Sequence, residues 1–122
     1  MSSEMRSEVR NKSRLVQAWR TNHRVTMYLI EHLPRDLWSM TVPGVPRRTV
    51  RMVAAHLHNS RSRWIKAMGA HDGIVAPPLV DLRRVAPAAL LKALSRSSDG
   101  IVRLIELGAA RGGVVPRSCK QG

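Results

Sequence analysis

Phenylalanine is absent from this sequence, tyrosine occurs once and tryptophan three times. Small β-sandwiches and barrels draw on alternating aromatic and β-branched residues, so this scarcity excludes them and leaves helices as the expected class. The single cysteine, Cys119, can close no internal disulfide and build no four-cysteine zinc site. No apolar run approaches the roughly 18 residues of a membrane span. The N-terminal MSSEMRSEVRNKSR carries charges where a signal peptide needs an apolar segment. These absences point to a soluble chain in the reducing cytoplasm, away from membranes. Acids are scarce as well, with 8 Asp and Glu against 21 Lys and Arg for a net charge of +13. A length of 122 residues fits one domain whose core is aliphatic.

Within that length the apolar residues recur at helical spacing. Leu15, Trp19, Asn22, Thr26, Ile30 and Leu33 follow one another at three and four residues and draw one stripe that Pro34 ends. SMTVPGVPRR, from Ser39 to Arg48, is a loop by its prolines and glycine, after which Thr49 is placed to cap a second helix. Val50, Val53, Leu57, Ser60, Trp64 and Met68 repeat the spacing up to Gly69. The stretch from Gly69 to Ala86, with its Pro77–Pro78 pair, reads as a long crossing connection, and Pro87 suits the first turn of a third helix. The stripe of that third helix is Leu90, Leu94, Ser97, Ile101, Leu104, Ile105 and Gly108. The reading is all-α: a flexible arm over 1–12, a single bundle domain over 13–112 and an irregular tail over 113–122. Its three long helices run over 13–34, 47–69 and 86–110 as rods of an up-and-down bundle, antiparallel or crossed, the long connection being consistent with a crossover between the second and third.

Residues able to carry chemistry are few. His56 and His58 are two apart, about 200° around a helix axis, and cannot share one metal ion. Against the stripe through Val53 and Leu57, His56 lies at the edge of the inner face. His58 points to the far side with Arg51 and Ser62. His56 is therefore the candidate ligand, with Asn59 and Arg63 on its face. Asn22, His23 and Thr26 place a polar strip in the first helix, and the simplest account is that they hydrogen-bond among themselves or line a wet seam. No paired carboxylates and no Ser, His and Asp set emerge. Cys119 beside Lys120 is an isolated tail thiol. Between Leu37 and His71 there are six Arg or Lys and no acid, with Arg48, Arg51 and Lys66 on the back of the second helix. Such a surface attracts phosphate backbones, although no helix-turn-helix, zinc finger or stacking platform accompanies it.

Three stretches carry a family resemblance: AWRTNHRVTMYLIEHLPRDLW, RRTVRMVAAHLHNSRSRWIKAMG and APAALLKALSRSSDGIVRLIELGAARGGVVP. Together, over about Ala18 to Pro116, they resemble the DinB-like family of four-helix bundles, which includes YfiT-like metal enzymes, and AHLHNSRSRW is the most telling piece. The resemblance implies a divalent site, nickel or zinc, with one histidine from the second helix and two from the fourth. His56 matches the first. The other two arise in a last helix that this sequence does not reach, so the resemblance implies a bundle truncated to three long helices. It also implies a kinship with thiol-dependent transferases or hydrolases, an incomplete site at His56, weak or absent metal and little or no activity.

Two further readings stand beside it. One is a small basic module binding nucleic acid. The other is an interaction subunit that associates with itself, because a bundle lacking one helix leaves Trp19, Leu57, Trp64, Ile101 and Leu104 partly uncovered. A homodimer is the expected state.

Overall fold

The computed structural model describes residues 3–111, and all of its regular elements are helical. Helix α1 spans Ser3–His32, α2 Arg35–Trp38, α3 Val50–Gly69 and α4 Pro87–Ala110, with a 3-10 turn at Ala70–Asp72 after α3. None of the described helices is long and apolar enough to cross a membrane.

Helix α1 begins at Ser3, not near residue 13, so residues 3–12 are helix where an arm was expected. No glycine or proline interrupts the run from Ser3 to Leu33, Glu4 complements the helix dipole in the first turn, and Lys12 pairs with Glu106 of α4 at 3.8 Å. Pro34 ends the helix, and α2 is a single turn that delivers Trp38 to the core. The loop that follows is folded on itself. Val42 N–H donates to Arg48 O at 2.7 Å and Val50 N–H to Met40 O at 2.9 Å, while Gly44 takes a positive φ of 78°. The Thr49 hydroxyl accepts from Met52 N–H at 3.2 Å and caps α3. Pro87 opens α4 at its first turn. The expected tail over 113–122, including Cys119, lies outside the described residues.

The order of the rods differs from an up-and-down bundle. Along α3 and α4, His58 meets Ser97, Ile65 meets Gly100 and Gly69 meets Leu104, so residue numbers rise together and the two helices run parallel. Helix α1 is antiparallel to α4, since Lys12 meets Glu106 and Trp19 meets Ser98. A parallel pair requires the chain to travel back along its own length. Residues 74–85 do so as a strap laid along α3. Arg111 and Asp72 form a two-pronged ion pair that joins the end of α4 to the turn after α3.

Helix α4 packs against both α1 and α3. The core of Trp38, Ala55, Val85, Leu90 and Leu94 lies at one end, closed by Met27, Ile30, Leu33, Val50, Ala54, Val80 and Leu82. Toward the other end, small residues let backbones approach. A Cβ on Gly100 would run into the Ile65 side chain, which is fully buried and has nowhere to retreat. The helical penalty of Gly100 is thus the condition for the α3–α4 contact. Gly108, in the same helix, has open space around it. Gly100→Val should lower the unfolding free energy by about 1–3 kcal/mol through overpacking. Gly108→Ala should raise it by about 0.5–1 kcal/mol through helix propensity. Urea unfolding of the two variants checks the opposite signs.

Candidate functional site

The inner face of α3 is not the one that its apolar residues suggest. Buried along it are Ala55, His58, Asn59, Ser62, Ile65 and Gly69, whereas Val53, Leu57 and Trp64 are exposed, Trp64 by 60%. His58, expected on the far side with Arg51 and Ser62, is fully buried. The reason is the strap. Its extended backbone has carbonyl and amide groups that no helix satisfies, and buried groups of that kind need partners. His58 Nε2–H donates to Pro78 O at 2.9 Å, and its Nδ1 lies 3.0 Å from Ser97 Oγ. A carbonyl only accepts, which places a proton on Nε2, while the Ser97 hydroxyl lies between Nδ1 and the Leu94 carbonyl, to which it donates at 3.2 Å. The Asn59 amide grips Val80 twice, donating to its carbonyl at 3.0 Å and accepting from its N–H at 2.9 Å. Ser62 donates to Pro77 O. Arg51, expected on the back of the helix, instead donates to Arg83 O at 2.8 Å and lies over the Trp38 ring.

His56 is left outside this arrangement. It is exposed, and Ser60 Oγ approaches its Nε2 at 3.3 Å. Asn59 is committed to the strap. Arg63 and Lys66 border a shallow depression of about 630 Å³ on the strap's outer side, with Val75 and Leu79. Among the described residues no three His, Cys, Asp or Glu side chains come together as metal ligands. The donors present around His56 therefore do not fit the nickel or zinc shell that the family resemblance implies.

A second polar cluster joins all three long helices. Arg61 of α3 is only 4% exposed, and its guanidinium sits 4.7 Å from the centre of the Trp19 ring of α1. Its Nη1 donates to His23 Nδ1 at 3.4 Å, while Trp19 Nε1–H donates to Ser98 Oγ of α4 at 2.9 Å. Among the described residues the Arg61 Nε is buried with no partner, and neither ion pair involves this arginine. Burial lowers the Arg61 pKa, and burial first, then the charge of Arg61, lowers that of His23, with Asp99 opposing. Of the polar strip expected on α1, His23 enters this cluster. Thr26 donates to the Asn22 carbonyl at 3.0 Å, and the Asn22 side chain is exposed.

Around the Arg61–Trp19 contact lie two apolar rows. On α3, Leu57, Arg61 and Trp64 follow at four and three residues, with Val53 one turn earlier. On α1, Leu15, Trp19 and Asn22 follow at the same spacings, and Val25 and Leu29 continue the row. Leu15, Val25, Leu29, Val53, Leu57 and Trp64 are all exposed, Leu29 by 62%. Helices α1 and α3 each pack on α4, and these two rows are left exposed. Apolar residues exposed in line at this spacing mark a face made to be covered.

No protein-family model matches the chain, and the comparisons with curated proteins and with solved structures found no match.

The cluster makes stability depend on pH. In the fold, the His23 pKa lies below its ordinary 6.5, so the unfolded chain takes up that proton first as pH falls. The contribution of neutral His23 is whole above pH 6.5 and is lost as pH drops through that value toward the folded pKa, because an imidazolium cannot accept from Arg61. Urea midpoints at pH 7.5 and pH 5 should fall more on acidification for the unaltered chain than for His23→Gln.

Proposed function

We propose that this chain is a helical scaffold of the DinB-like kind that acts by receiving a partner on the groove between α1 and α3, rather than by completing a metal shell at His56. The observation that carries the reading is the pair of exposed apolar rows, Leu15, Val25 and Leu29 on one wall and Val53, Leu57 and Trp64 on the other. Full burial of such side chains contributes roughly 1.5–3 kcal/mol each. Covering both rows recovers part of that contribution and sets it against the cost of bringing two bodies together. Arg61 and Trp19 give the floor a fixed shape, since both are tied to a neighbouring helix. The family resemblance supports the same view, for it implies a bundle in which a further helix covers three. His56 supports it by contrast, since among the described residues its ring has only a serine hydroxyl as partner.

A dye that fluoresces on apolar surfaces should bind the chain saturably, and Leu29→Glu with Leu57→Glu should abolish that binding while leaving the helical circular dichroism unchanged. His56→Ala should leave it intact. Equal dye binding by the doubly charged variant, or a stoichiometric nickel or zinc ion lost on His56→Ala, would contradict the reading.

A further inference from the structure

The depression between α3 and the strap has a volume of about 630 Å³, a size that suits one small molecule. Helix α3 lines it with Ser62, Arg63 and Lys66, and residues 73–79 line it from the strap. Its shape is fixed in advance. Ser62 donates to Pro77 O, His58 to Pro78 O and Asn59 to Val80 O, so α3 holds the strap at successive residues. Pro77 and Pro78 have restrained backbones and offer no N–H. With Val75, Ala76 and Leu79 they make an apolar wall, on which Val75 is 84% and Leu79 52% exposed. A wall already in place costs little ordering when a ligand settles on it.

The charge of the lining has one sign. Arg63 and Lys66 stand three residues apart, on one face of α3, and no Asp or Glu among the described residues lines the depression. Neither cation has an ion pair or a side-chain hydrogen bond among the described residues. The nearest acid along the sequence, Asp72, gives both carboxylate oxygens to Arg111. Lys66 lies in the last turn of α3, where a cation complements the helix dipole, but Arg63 comes before that turn and has no such role.

We infer that this depression binds one molecule with a phosphate monoester head and an aliphatic body, the head meeting Arg63 and Lys66 and the body lying along Val75, Pro78 and Leu79. A phosphate monoester carries nearly two negative charges at neutral pH and three acceptor oxygens, enough to answer a guanidinium fork and an ammonium together. A carboxylate brings one charge to the same two cations. Inorganic phosphate has nothing to set on the apolar wall, whereas an alkyl chain removes part of that wall from water. The site shares no residue with the exposed rows of α1 and α3, so it stands or falls apart from them.

Calorimetric titration of the full chain with octyl phosphate, octanoate, octylammonium and inorganic phosphate, each below any micelle-forming concentration, tests the inference. Octyl phosphate should bind once per chain and at least about tenfold more tightly than any of the other three. Arg63→Gln with Lys66→Gln should weaken it about tenfold or more, while Lys92→Gln with Arg96→Gln, which removes the same two charges from α4, should leave it unchanged. Leu79→Ser should weaken octyl phosphate and not inorganic phosphate. Leu29→Ser with Leu57→Ser should change neither, which separates this site from the exposed rows. All of these side chains are exposed, so the variants keep the fold. Vesicles of phosphatidylcholine with and without phosphatidic acid distinguish the source of the head. Sedimentation with phosphatidic acid that requires Arg63 and Lys66 assigns it to a lipid, and octyl phosphate binding without sedimentation assigns it to a soluble ester. Equal affinity for octyl phosphate and octanoate or inorganic phosphate, equal loss in the two double-glutamine variants, or vesicle binding with no binding of octyl phosphate would each overturn the inference.

Discussion

Burying a guanidinium without a carboxylate is the least comfortable thing this chain does, and the arrangement of its three long helices turns on how that is tolerated. Arg61 extends from α3 to α1, spreads over Trp19 and donates to His23, while Trp19 in turn donates to Ser98 of α4. One side-chain cluster thereby sets the spacing of all three helices at mid-height. Cation–π stacking contributes roughly 0.5–2 kcal/mol, rising as water is excluded, which offsets part of the desolvation cost and leaves the buried Nε unanswered.

The strap governs the other side of the molecule. Running α3 and α4 in parallel obliges the chain to return along α3, and a returning extended backbone brings polar groups into a dry place. Helix α3 answers with His58, Asn59 and Ser62 on its inner flank, together with Arg51 at its first turn. Once that flank is occupied by polar side chains, the apolar side chains of Val53, Leu57 and Trp64 remain for the other side of the helix, where they are exposed. The exposure of that row is thus a consequence of the crossover.

Much of the architecture was legible in the sequence. The helical class, the loop around Gly44, the Thr49 cap, the crossing connection after Gly69 and Pro87 at the start of α4 all follow from local chemistry, which the structure keeps. The stripe of α4 through Leu90, Leu94 and Ser97 also reads correctly, because that helix is covered on two sides and its apolar residues go inward. On α3 the same rule fails. Hydrophobic periodicity places Leu57 and Trp64 inside and His58 outside, since it cannot know that a strap with unsatisfied carbonyls will lie on one flank. The candidate ligand His56 was chosen from that inverted phase. Arg61 escaped notice because a lone arginine among six basic residues has no signature in a sequence, and only its juxtaposition with Trp19, 42 positions away in the chain, reveals it.

Access to the groove can be measured directly. A soluble paramagnetic chelate speeds the relaxation of protons it can approach, and the methyl groups of Leu15, Val25, Leu29, Val53 and Leu57 and the indole of Trp64 can be read in the full chain at low concentration. An open groove predicts relaxation of these groups close to that of surface methyls, with Leu90, Leu94 and Ile65 shielded. Shielding of the two rows to the level of Leu94 in the free chain would contradict it, since the groove would then already be filled.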